Sequence, residues 1–168
     1  MELRDVTVNI LNPALSLLPQ KMDSPAARVQ LLATGLQESR FTHRYQVLDT
    51  PGVKGPARGL WQFEKGSKAT RGGVWGVYLH RASSEPLRLL CRAMDCAFDP
   101  IAIWAQLEYD DVLAAGVARL LLWTDARPLP VVGDAGEAWD CYIRTWNPGK
   151  PKPDTWRDLY VKAVLEVK

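Results

Sequence analysis

The chain has 168 residues, 47% of them apolar and 24% charged, with a formal charge of +2. That length suits one compact domain spanning 1–168, and that balance excludes the disordered, collagenous and membrane classes. So small a charge leaves no broad basic field for nucleic acid, while seven Trp beside five Tyr and three Phe either fill a core or offer ring faces to a ligand.

In the first twenty residues Asp5, Asn9, Asn12 and Pro13 interrupt the apolar stretches, so no signal peptide is expected. Asn9 to Pro19 reads as a short first helix or turn, broken by Pro13 and closed by Pro19. Asp23-Ser24-Pro25 places an N-cap before a proline at the first helical position, and Val29, Leu32 and Leu36 follow at helical spacing, so a helix should end near Ser39. From Arg40 to Gly76 nine glycines or prolines interrupt the chain, which predicts a loop with a small hairpin and a short helical turn. A helix resumes at Ser84-Glu85-Pro86. After Asp99-Pro100 comes one long helix or two joined near Tyr109 to Asp111. Gly133-Asp134 opens another, ended by Asn147-Pro148-Gly149, and a last one is capped by Asp154. The sum is a mainly α chain of five to seven helices around one glycine-rich excursion.

The apolar run from Val112 to Trp123 is cut by Arg119 and falls short of the roughly eighteen residues a membrane span needs, so no membrane insertion is expected. Cys91, Cys96 and Cys141 form no CxxC and have no histidine at ligand spacing; they read as small buried hydrophobes. His43 and His80 are too few for a multi-histidine metal site, and neither a nucleophile elbow nor a phosphate loop is present. Neither metal nor cofactor is expected.

The chemistry points to Glu38, on the last turn of the best-defined helix. Burial there would raise its pKa, as would the negative end of the helix, and a carboxyl protonated near neutral pH can donate to a leaving oxygen. Glu38-Ser39-Arg40-Phe41 is followed by Gly59-Leu60-Trp61-Gln62, and much later by Trp146-Asn147-Pro148-Gly149. This order resembles the soluble lytic transglycosylase and goose-type lysozyme group. That group has a Glu-Ser pair closing a helix, a Gly-Leu-Met-Gln loop, and an Ala-Tyr-Asn-Ala-Gly segment ending a late helix.

The resemblance implies a lysozyme-like α+β fold and cleavage of the MurNAc-GlcNAc β-1,4 bond of peptidoglycan glycan strands, with Glu38 as general acid and base. It places Ser39, Gly59, Leu60, Gln62 and Asn147 on substrate-binding motifs, with Trp61 where Met is usual and Trp146 where Tyr is usual. Trp146 thereby loses the phenol that the family's Tyr offers the acid. Trp61 and Trp146 are expected to present apolar faces to sugar rings, and the amides of Gln62 and Asn147 suit an N-acetyl group.

Glu64 is the candidate second carboxylate should water be the acceptor, or else a solvated loop residue; Asp49 is the other acid in the loop. Arg58, Lys65, Lys68 and Arg71 are either solvated surface or contacts for wall carboxylates and phosphates. Trp104, Trp123, Trp139 and Trp156 are expected in the core, and Trp75 is unassigned. The build also looks like small bacteriophage proteins, which implies synthesis in the cytoplasm and action on the wall after phage-mediated release or within a virion. A non-catalytic virion structural or glycan-binding protein on the same fold is the alternative.

Overall fold

Ser24 accepts a hydrogen bond from the Ala27 amide at 3.1 Å, and Pro25 sits where its missing N–H costs nothing, so the helix α3 (Pro25–Ser39) starts where its sequence places it. The computed structural model describes residues 1–50 and 52–168. Ahead of α3, α1 (Leu3–Val6), a π turn (Thr7–Leu11) and α2 (Asn12–Ser16) run on as one helix, earlier and longer than expected. Pro13 does not break it. In the widened π turn the Asn12 amide reaches back to the Thr7 carbonyl, which relieves the crowding a proline ring meets in a regular turn.

β1 (Tyr45–Val47) and β2 (Lys54–Arg58) form the antiparallel hairpin of the excursion, pairing Tyr45 with Arg58 and Val47 with Lys54 around an irregularity. Next come α4 (Gly73–Leu79), α5 (Ser84–Ala93), α6 (Pro100–Gln106) and α7 (Asp111–Thr124). α8 (Ala135–Trp146) and α9 (Pro153–Val167) complete the chain. The described residues are mainly helical, eight helices with one two-stranded sheet. The helix beyond the expected five to seven is α4, whose three glycines within and before its first turn disguise it as loop.

The choice between one helix and two after Asp99 resolves as two. Asp99 caps α6 through the amides of Ile101 and Ala102, and Asp110 caps α7 through Leu113 at 2.9 Å. α9 begins at Pro153, with Lys152 rather than Asp154 at the cap position and no side-chain cap. α3 and α7 are buried along most of their length, and α9 packs along α3. Cys91, Cys96 and Cys141 are free and buried. Among the tryptophans expected in the core only Trp156 is fully packed in, at 3% exposure; Trp104, Trp123 and Trp139 lie half-buried along its edge. Trp75 sits on α4 with its ring edge-on to Tyr78. No helix among the described residues is long and apolar enough to cross a membrane.

Candidate active site

Glu38 lies one residue before the end of α3, and the chain leaves that end through two successive left-handed residues, Arg40 (φ 56°) and Phe41 (φ 54°). Such backbone costs about 1 kcal/mol or more per residue outside glycine. Two contacts offset it. Phe41 tucks its ring against Gly35, where a Cβ would overlap it, and meets Trp61 edge-on at 5.5 Å. The Ser39 hydroxyl donates to the Leu60 carbonyl at 2.6 Å and accepts the Phe41 amide at 3.1 Å. The helix end is thereby tied to the loop 58–63.

That loop closes on itself, because Arg58 and Phe63 exchange backbone hydrogen bonds at 2.9 and 2.8 Å. Gly59 turns it at φ 75°, where a Cβ would lie 2.9 Å from the Leu107 carbonyl. Leu60 and Trp61 then point inward at 0% exposure, and Trp61 Nε1 donates to the Leu31 carbonyl at 2.9 Å. This corrects the expectation for Trp61. Its ring is core, with no face left for a sugar. Ser39, Gly59 and Leu60 likewise shape the loop and do not line the cavity beside Glu38. Gln62 returns to that cavity at φ 50°, its amide nitrogen donating to the carbonyls of Gly59 and His43.

The opposite wall comes from α8. Tyr142 and Trp146 are four residues apart, hence on one helix face. Tyr142 donates its hydroxyl to Glu38 Oε1 at 2.7 Å. The phenol counted as lost at Trp146 is therefore present one turn earlier, a second correction. Trp146 is half-buried against Phe63 and donates Nε1 to the Trp61 carbonyl at 3.0 Å. Asn147 ends the helix in the left-handed region at φ 46°, where Asn is among the residues best tolerated, and faces the cavity beside Pro148 and Gly149.

The cavity holds about 630 Å³. It brings together Glu38, Gln62, Glu64, Trp146 and Asn147 of the expected residues, with Glu64 exposed at the rim. Sequence reasoning missed Gln37, Gln46, Tyr142, Lys150 and Lys152 in its lining. Gln37 also braces the wall, donating to the Lys152 carbonyl at 3.0 Å and accepting from the Thr155 hydroxyl at 3.1 Å. Asp49 is exposed and away from the cavity, and none of Arg58, Lys65, Lys68 and Arg71 lines it. Arg58 is engaged elsewhere: it pairs with the buried Glu108 at 2.9 Å and lies over the Trp104 ring.

Burial pushes the Glu38 carboxyl from 4.5 up to about 7, and the Tyr142 hydroxyl, by favouring the carboxylate, pulls part of that rise back. The Tyr142 phenol is itself raised, by burial first and by the facing carboxylate second. Near neutral pH the carboxyl is divided between acid and base, the condition a group needs to give and then retake a proton. A second hollow, about 1000 Å³, lies between the start of α8 and α9 and is lined by Val131, Trp139, Trp156, Val161 and Leu165. Asp134 at its edge accepts the Glu137 amide at 2.9 Å as the cap of α8. Among the described residues no three His, Cys, Asp or Glu side chains converge as metal ligands. No family model, no curated protein and no solved structure matches this chain.

Proposed function

We propose that the chain is a peptidoglycan-cleaving glycosidase of lysozyme-like fold, acting on the MurNAc-GlcNAc β-1,4 bond with Glu38 as general acid and base. The observation that carries this reading is the Glu38 carboxyl itself, half-buried in the wall of an open cleft, accepting the Tyr142 hydroxyl and pushed up by desolvation to about 7. An acid of that strength matches proton donation to a glycosidic oxygen near neutral pH. Around it the cleft supplies the half-buried Trp146 ring and the amides of Gln62 and Asn147, which suit the apolar faces and acetamido edges of sugar rings.

In the transglycosylase course Glu38 protonates the bridging oxygen as the glycosidic bond breaks, and the substrate's own N-acetyl oxygen stabilises the ring cation. The Glu38 carboxylate then takes the proton of the muramyl 6-hydroxyl, whose oxygen closes a 1,6-anhydro ring. In the hydrolytic course water is the acceptor, and Glu64, which lines the same cavity at its rim, is the candidate carboxylate to orient it. The resemblance to small phage wall-degrading proteins supports action on the wall after phage-mediated release or from a virion.

The non-catalytic virion reading is favoured by Trp146 standing where the family has Tyr, and against it Tyr142 supplies a phenol to Glu38 from one turn earlier. The deciding experiment is clearance of a purified peptidoglycan suspension by the wild type and by Glu38→Gln. Clearing by the first and at least a hundredfold less by the second is expected, on the scale of ~10²–10⁴ for general acid catalysis. A folded wild type that clears nothing, or a Glu38→Gln that clears equally, ends the enzyme reading. Mass spectrometry of the products assigns the course: anhydromuramyl ends for the transglycosylase, reducing ends for the hydrolase.

A further inference from the structure

The Tyr142 ring, whose hydroxyl reaches Glu38, is packed against aromatic side chains that do not line the cleft. Trp156 of α9 stacks on it with centroids 5.2 Å apart and planes at 17°. Trp139, one turn before Tyr142 on α8, packs against the same ring at 5.4 Å and 45°, and the two indoles meet edge-on at 5.5 Å. Trp156 is in turn fixed, because its Nε1 donates to the Ala135 carbonyl at 2.8 Å. Beyond it Tyr160 stacks at 6.2 Å and accepts the Gly133 amide on its hydroxyl at 2.9 Å. Tyr142 and Trp156 are each 3% exposed, and neither Trp139 nor Trp156 lines the Glu38 cavity.

A tyrosine hydroxyl sits at the end of two rotatable bonds, so a small rotation of the ring swings it away from an acceptor, and hydrogen bonds weaken steeply with distance and angle. The 2.7 Å bond joins two different helices, α8 and α3. Its length is set by whatever fixes the ring plane. We infer that Trp156 and Trp139 are positioning residues for Glu38, clamping the Tyr142 ring so that its hydroxyl stays on the carboxyl.

The catalytic meaning of this clamp rests on the proposed function, but the clamp is measurable without substrate. The experiment is an NMR pH titration of the Glu38 side-chain carboxyl in the full chain, using carboxyl-labelled glutamate. Tyr142→Phe removes a donor that favours the carboxylate, so its titration midpoint moves upward. Trp156→Leu is expected to move the midpoint the same way, by roughly half a pH unit or more. Trp156→Phe keeps a flat ring and is expected to titrate as the wild type does. In the Tyr142→Phe background Trp156→Leu is expected to add nothing, since the group through which it acts is gone.

A folded Trp156→Leu that titrates as wild type overturns the inference. So does a shift that persists in the Tyr142→Phe background, which would make Trp156 a general packing residue. Where Trp156→Leu does not fold, Trp139→Leu, at the half-buried flank of the same ring, is read in its place with the same outcomes. Loss of wall clearance by the wild type with the expected titrations intact would end the function and leave the clamp standing. The converse result would separate them the other way.

Discussion

Desolvation lifts the Glu38 carboxyl into the range where glutamate is ordinarily ionised, and the Tyr142 hydroxyl pulls part of that rise back. If protonated Glu38 drives the reaction, kcat/KM falls as pH rises through about 7. Tyr142→Phe deletes the one contact that favours the carboxylate, so the alkaline limb should move to higher pH; a limb that stays put or moves down would refute that role. The two tryptophans of the motif segments separate by the same logic of contacts. Trp61→Ala empties a fully buried site and should lose about 3–5 kcal/mol of stability. Trp146→Ala, at the cleft wall, should reduce wall clearance severalfold while lowering the melting temperature less than Trp61→Ala does. The place of Glu38 at a helix end was legible in the sequence from the cap and spacing of α3, and the motif order of the resemblance singled it out among the acids. Tyr142 was not, since matching adjacent letters put Trp146 in the tyrosine's place, whereas the hydrogen bond follows the helical period of four. Trp61 was misread because the closed loop 58–63 turns Gly59, Leu60 and Trp61 inward one after another, a run that follows neither a helix nor a strand period.

The cleft has one wall on helices and one on the hairpin, and the hairpin holds its place by charge. Arg44 grips Asp111 at the start of α7 with two bonds of 2.8 and 2.6 Å. Lys54 and Arg58 of β2 both reach Glu108, which is 8% exposed, and Trp104 Nε1 donates to the Pro56 carbonyl at 3.0 Å. A two-stranded hairpin alone is marginal in water, so these anchors decide its order. Glu108→Ala leaves Arg58 without its acid and should speed amide hydrogen exchange across Tyr45–Val47 and Lys54–Arg58. Exchange in α3 and α8 should stay as in the wild type, and equal protection in the hairpin of the variant would discard the anchor. The starts of α3 and α6 were legible, because each cap is written within three residues of its helix, whereas the break before α7 stood only as one of two alternatives. The docking of the hairpin was not, because Arg58 and Glu108 are joined only by the finished fold. α4 escaped for a different reason: its glycines lower helix propensity, and packing against α5, α6 and α7 overrides them.

At the scale of the whole molecule the desolvated carboxyl is a cost carried by the fold. Below pH 4.5 Glu38 is protonated in both folded and unfolded chains, and it takes nothing from stability. Between 4.5 and about 7 the unfolded chain releases the proton while the folded chain keeps it, so stability declines as pH rises. Above about 7 both are ionised and the full penalty, about 3 kcal/mol, is present. Glu38→Gln keeps the shape and can still accept the Tyr142 hydroxyl, but it has no charge to bury. The variant should therefore match the wild type near pH 4 and exceed it by up to about 3 kcal/mol near pH 8, while losing wall clearance. Urea unfolding of both chains at the two pH values measures the gap, and the sign is what matters. A gap of equal size at both pH values would mean that Glu38 is not the group whose ionisation opposes folding. A gap that opens only on the alkaline side would mark the carboxyl as held in place against the interest of the fold, where a functional acid is expected to be.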